Sequence, residues 1–329
     1  MVLQVRGQGR SPGVRRLADH DGPMLRARVK GLAELIALRS GGRLVGRLRR
    51  RGYLLILSYH NVVPHGETAR GDRSLHLAQG TFGAQLDELL RDHDIVPLTE
   101  LSKTPAATGR PRAAITFDDA YAGTLTAGIE ELARRRVPAT VFVPPAFVGG
   151  RSFWWDELAE GLAGELPSDL RDHCLNELAG DEEPIRQWAA SQGLARAAGL
   201  PPWACAGTED DLRRAAAEPG VSFGSHSWSH VNLAAVDPGR RRDELVRSKA
   251  WLESRFPQAY VPWLSYPYGI ESAETRAAAG EAGYAASVRV TGGRFRPGAA
   301  PVQALPRLNV PAGLSVAGFA LRAAGLLSR

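Results

Sequence analysis

From residue 53 onward, apolar runs of six to eight residues alternate with amphipathic stretches, and this alternation dominates the chain. YLLILSYH (53–60), DIVPLT (94–99), RAAITF (112–117), ATVFVP (139–144), VSFGSH (221–226), YVPWLSY (260–266), YAASVRV (284–290) and LPRLNV (305–310) read as strands. Between them, TFGAQLDELLRDH (81–93), a stretch ending near Arg136, and stretches over 240–255 and 272–282 carry helical spacing, with Thr81 placed as an N-cap. Strands separated by helices in this way predict a mostly parallel sheet with covering helices, open or closed into a barrel. Residues 150–218 break the alternation. They hold 14 acidic and 6 basic residues, helical patterns and the breaks LPSD, EEP and LPPW, which reads as a helical insertion on the barrel.

Residues 1–52 follow another pattern. A Gly-, Arg- and Pro-rich arm (1–23) precedes MLRARVKGLAELIALR (24–39), which sets Leu25, Val29, Leu32 and Ile36 at helical steps among arginines. The net charge of +6 therefore averages two unlike parts: 13 Lys/Arg against 3 Asp/Glu over 1–52, and 28 against 32 beyond. The basic helix has two readings, one on an anionic membrane surface and one packed on the domain with solvated arginines. Nucleic acid is not expected, because no aromatic or recognition motif accompanies the charge.

An apolar fraction of 44% with 23% charged residues suits a globular protein with a sizeable core. Cys174 and Cys205 form no C-x-x-C pattern, so neither a thiolate metal knuckle nor a disulfide framework is expected. No stretch approaches the roughly 20 apolar residues of a membrane span, and the beginning lacks the apolar segment of a secretory signal. A cytoplasmic chain is the expectation, lying at the inner face of the membrane only on the first of the two readings of its basic helix.

In parallel α/β folds, active sites gather where strands end and helices begin. Four polar clusters fall at such places: Tyr59-His60, Asp118-Asp119, His226-Ser-Trp-Ser-His230 and Tyr266-Pro267-Tyr268-Gly269. One helical turn after a strand would bring His226 and His230 to one face, as chelation requires, although histidines at this spacing also serve as surface or capping residues. With an aspartate from another strand end, they complete a three-ligand site with positions left for water. Asp118 and Asp119 share one pocket only if the strand ends there and a cation or proton offsets the second charge. The competing reading has Asp119 capping the next helix and Asp118 solvated.

TFDD (116–119), SHSWSH (225–230) and YPYG (266–269), in this order, resemble the leading motifs of NodB-type polysaccharide deacetylases, carbohydrate esterase family 4. YHNV (59–62) is similar to the Y-H-x-V opening of that family's poly-N-acetylglucosamine deacetylase branch. The resemblance covers roughly residues 53–310. It implies a distorted (β/α)7 barrel and a divalent metal, usually zinc, otherwise cobalt, nickel or iron. By position it makes Asp119, His226 and His230 the ligands and Asp118 the general base that takes a water's proton. It also places the backbone N–H of Tyr268 at the oxyanion of an N-acetyl group under attack, and the expected function is metal-dependent deacylation of an amino sugar.

Two family positions differ. Ser265 stands where many members carry an arginine that tethers the base, and Asn309 where many carry a late histidine as general acid. Arg307 on the last strand is the candidate tether, with a surface ion pair as the alternative. His60 is the candidate acid, with a structural histidine as the alternative. Tyr266 and Tyr268 are candidate walls of the sugar site, with core packing as the alternative for either ring. Trp155 and Asp156, at the start of the insertion, are candidates for stacking on a sugar and bonding a hydroxyl, against packing at a junction. The rival functions are a non-catalytic glycan-binding barrel, motivated by the missing late histidine, and a metal-dependent hydrolase of another bond.

Overall fold

The computed structural model describes residues 52–103, 109–194 and 199–327. The basic arm and its helix lie outside the described residues. The strands are β1 (Leu54–Tyr59), β2 (Asn61–Val63), β3 (His76–Ala78), β4 (Asp94–Ile95), β5 (Arg112–Phe117), β6 (Ala139–Val143), β7 (Val221–Ser225), β8 (Tyr260–Ser265), β9 (Ala286–Gly292) and β10 (Leu305–Asn309). The helices are α1 (Gln79–Asp92), α2 (Ile129–Arg135), α3 (Trp154–Gly161), α4 (Ser168–Asn176), α5 (Glu182–Ser191), α6 (Glu209–Ala216), α7 (Pro238–Arg255), α8 (Ala273–Glu281) and α9 (Val316–Ala323).

Strand pairing runs β1-β10-β9-β8-β7-β6-β5 and returns to β1, all in parallel, so seven strands close a barrel. The two-residue β4 adds to β5 outside the ring, because Pro97 follows almost at once and the chain turns into a 3₁₀ segment at Leu98–Glu100. α1 begins at Gln79, two residues before Thr81, and its cap residue Ala78 makes no side-chain bond. Packing places this helix, since Phe82, Leu86 and Leu89 are buried against the barrel. Each such side chain contributes about 1.5–3 kcal/mol.

Side chains alternate across each strand. Leu55, Leu57 and Tyr59 join the layer under the helices, whereas Leu54 and Ile56 share a second cluster with Ala114, Phe142, Val288 and Leu305. This second row turns polar toward the strand ends, where Ser58, Thr116, Asp118 and Arg307 are all buried. The barrel thus has an apolar lower half and a charged top. Helices α3 to α6 form the insertion after β6, with its own core around Trp154, Trp155, Leu158, Cys174 and Ile185. Both cysteines are free and buried. Among the described residues, no helix is long and apolar enough to cross a membrane.

Candidate active site

Asp118 follows β5 directly and keeps the inward direction of Thr116 two residues earlier. Arg307 reaches it from β10, with Nη1 donating to Oδ1 at 2.8 Å and Nη2 to Oδ2 at 2.6 Å. The remaining guanidinium donors go to Thr116 Oγ1 (3.1 Å), Ser265 Oγ (2.9 Å) and the Arg289 carbonyl (3.2 Å). Every N–H of the fork is thereby used, and Arg307 is 0% exposed. A surface ion pair is excluded. Ser265 is small enough to leave room for a guanidinium arriving from the last strand, and its hydroxyl becomes one of that group's acceptors. Burial alone would raise the Asp118 carboxyl, but the charge of Arg307, helped by His226 and the paired bonds, reverses this and holds it at about 2.

Asp119 points elsewhere because its backbone does. Its φ is 70° and that of Ala120 is 52°, so the chain reverses hand at the strand end rather than starting a helix. The expected helical turn between His226 and His230 is likewise absent. Ser227 (φ 59°) and His230 (φ 58°) form a left-handed loop that folds the two imidazoles together. Glu244 on α7 holds this loop by accepting from the N–H groups of Trp228 (2.9 Å) and Ser229 (2.7 Å). With Tyr268 (φ 59°), five of the eight non-glycine residues at positive φ among the described residues lie at this site. Each costs of order 1–3 kcal/mol, which the surrounding packing must supply.

Asp119 Oδ1 lies 3.1 Å from His230 Nε2 and 3.4 Å from His226 Nε2, and the two Nε2 atoms are 3.1 Å apart. Oδ1 is buried and accepts no hydrogen bond. His226 Nδ1 donates to the Ser265 carbonyl at 2.8 Å, which leaves the Nε2 lone pair facing the cluster. His230 is oriented differently. Its Nδ1 has no partner, and its ring is held between Trp155 (4.8 Å) and Tyr268 (4.6 Å). An orphaned carboxylate oxygen facing two imidazole nitrogens is a donor set that fits a divalent cation. Burial would raise the Asp119 carboxyl, but the facing imidazoles of His226 and His230 outweigh it and hold the group far below the usual range. Burial opposes charge on His226, yet Asp118 and Asp119 raise its pKa; His230, buried beside His226, is lowered.

These residues line a cavity of about 260 Å³ together with His60, Tyr268, Trp154, Trp155, Leu75, Arg171, Leu175 and Asn309. Burial lowers the His60 pKa, with the charges of Asp119 and Asp118 opposing, so its imidazole is neutral near pH 7. Three expectations need correction. Tyr266 is absent from the cavity wall: it is 0% exposed, packs with Leu264 and Tyr284, and donates its hydroxyl to the Gln303 carbonyl. Asp156 is also 0% exposed, and its oxygens already accept from the Asp72 N–H (2.8 Å), His76 Nε2 (2.9 Å) and the Tyr121 hydroxyl (2.7 Å). Buried beneath these three donors and absent from the cavity wall, it is out of a sugar's reach. Trp155 reaches the cavity but is 5% exposed, with one face stacked on Phe153 at 4.6 Å and Nε1 donating to Tyr121. It is a wall for His230, not an exposed sugar platform.

Comparison with known proteins agrees with this geometry. The family model described as polysaccharide deacetylase matches residues 106–287, more than half of the chain, and the chain belongs to that family. YxkH of Bacillus subtilis (strain 168), whose name assigns it to the polysaccharide deacetylases, is 32% identical over 116 residues. That match spans 34% of this chain and 39% of the relative. The fold is similar to that of the Streptococcus pyogenes deacetylase PplD, solved in complex with acetate (TM-score 0.55, 17% identity, 81% of this chain and 96% of that one). It is equally similar to IcaB from Ammonifex degensii (TM-score 0.55, 18% identity, 81% and 96%). The NodB-type (β/α)7 barrel is thus the fold of this chain.

Proposed function

We propose that the protein is a metal-dependent carbohydrate deacetylase that hydrolyses an N-acyl group, in the first instance N-acetyl, on an amino sugar. The observation that carries this reading is the convergence of Asp119, His226 and His230 beside a carboxylate, Asp118, that a buried arginine keeps ionised. A divalent cation held by those three residues, zinc before cobalt, nickel or iron, supplies Lewis acidity toward water and the acyl carbonyl.

The chain's own groups do the rest. Asp118, oriented by Arg307, accepts a proton as water adds to the acyl carbon. The backbone N–H of Tyr268 donates to the oxygen that gains charge. The C–N bond then breaks and the amine takes up a proton. His60 is neutral at rest, so it donates to the amine only after first receiving the proton that Asp118 collected. The products are a carboxylate and a free amino sugar.

The test is acetate release from a panel of N-acetylated glycans, with and without chelator. Release should be chelator-sensitive and should fall by about 10²–10⁴-fold in Asp118→Asn. If metal-loaded wild type releases acetate from no substrate, the hydrolase reading fails in favour of a glycan-binding barrel.

A further inference from the structure

The two histidines of the site are oriented by different means. His226 Nδ1 donates to the Ser265 carbonyl at 2.8 Å, whereas His230 Nδ1 is buried with no hydrogen-bond partner among the described residues. A metal-binding imidazole is ordinarily aimed by such a bond on its second nitrogen. His230 is aimed by two rings instead, Trp155 at 4.8 Å and Tyr268 at 4.6 Å, the latter nearly perpendicular at 85°. What fixes those rings therefore decides where Nε2 points. Trp155 is fixed through its Nε1 bond to Tyr121. Tyr268 is fixed from the insertion: its hydroxyl donates to the Gly180 carbonyl at 3.1 Å and accepts from Trp154 Nε1 at 3.2 Å.

The turn after α4 that supplies this carbonyl also holds the backbone beside His230. Asn232, two residues on, donates its N–H to the Ala179 carbonyl at 2.7 Å and its Nδ2 to the Leu175 carbonyl at 3.0 Å. Arg240 on α7 pairs with Asp181 at 2.6 Å. Within the turn Ala179 (φ 53°) and Gly180 (φ 65°) are both left-handed, and the Gly180 N–H returns to the Cys174 carbonyl at 2.8 Å. A Cβ on Gly180 would meet the Tyr268 ring at 2.5 Å and its oxygen at 2.8 Å. The turn can lie against the phenol only because residue 180 has no side chain.

We propose, resting on the deacetylase reading, that the insertion serves as the missing orienting partner of His230: Gly180 and Trp154 hold the Tyr268 ring by its hydroxyl, and that ring aims the His230 imidazole at the cation. Tyr268 (through its side chain), Trp154 and Gly180 are then positioning residues for the metal centre. The insertion supports the cation site as well as walling the cavity.

The test measures zinc affinity of the full chain against a chromophoric chelator, the visible bands of the cobalt-loaded protein, and kcat and KM for acetate release. Tyr268→Phe keeps the ring and removes both bonds. Its zinc affinity should fall about 10-fold, its cobalt bands should shift, and kcat should fall while KM holds. Trp154→Phe should act in the same direction but less, and adding it to Tyr268→Phe should cost nothing further, since both act through one oxygen. Gly180→Ala, which displaces the ring, should lose most. Ile185→Val loosens the core of the insertion without touching these bonds and should leave zinc affinity and bands as in wild type. Wild-type affinity and bands in Tyr268→Phe overturn the proposal, as does an equal loss in Ile185→Val. The metal measurements need no substrate. A zinc loss in Tyr268→Phe from a wild type that releases no acetate keeps the proposal and removes the deacetylase reading; chelator-sensitive release that Tyr268→Phe leaves unchanged, with unchanged zinc affinity, does the reverse.

Discussion

Arg307 and Asp118 form a buried pair whose members cannot be changed singly at low cost. Arg307→Ala leaves a carboxylate in the barrel without a counter-charge, and the expected loss is about 3–5 kcal/mol in urea or thermal unfolding. Burial would then act on Asp118 unopposed. Its pKa rises, and the acid limb of the rate–pH profile moves to higher pH while the rate falls. Arg307→Lys restores charge but not the two-pronged geometry, so it should recover more stability than rate. The wild-type carboxyl is held at about 2, below its ordinary 3.8. The stabilisation from the pair is therefore complete above pH 4 and lost as pH falls toward 2, amounting to about 2 kcal/mol. Arg307→Ala should show no such step. An unchanged pH profile in Arg307→Ala would remove the tether.

Between elements, the insertion is joined to the barrel top by a chain of buried polar groups. Asn61 Nδ2 donates to His76 Nδ1 at 2.9 Å, and His76 Nε2 bonds Asp156 on α3. Tyr121, just past the Asp118-Asp119 turn, donates to the other Asp156 oxygen and accepts from Trp155, whose ring abuts His230. Asp156→Asn presents an amide where donors converge. It should cost about 2–4 kcal/mol, and the loss should show first as faster hydrogen exchange over residues 154–191. Retention of wild-type stability would show that the network is dispensable. This is also where reading the sequence stops short. The strands and the insertion were legible from periodicity, Asp118, Asp119 and the two histidines from polar clusters at strand ends and the family resemblance, and Arg307 from a lone charge in an apolar run. The hand of the backbone at Asp119, Ser227 and His230 was not, since left-handed φ at non-glycine residues is imposed by tertiary packing. Asp156 misled for a related reason: an acid at a helix start looks solvated until its three donors, from distant segments, are seen together.

For the whole molecule, the proposed cation joins β5 and β7, two non-adjacent staves of a closed barrel. Binding should therefore raise global stability by mass action, about 2.7 kcal/mol at one hundred times Kd. The melting temperature should rise on adding zinc and fall on chelation in wild type, and do neither in Asp119→Asn. A zinc response that persists in Asp119→Asn would place the metal elsewhere. The exchange of arginine positions has a further consequence, for ancestry. The family resemblance implies a tethering arginine at the position of Ser265, whereas here the guanidinium comes from the last strand and donates to the serine hydroxyl. Losing Arg307 first strands a carboxylate, and gaining an arginine at 265 first crowds two cations into one berth. Either single step carries a cost, so passage between the two arrangements should require positions 265 and 307 to change together.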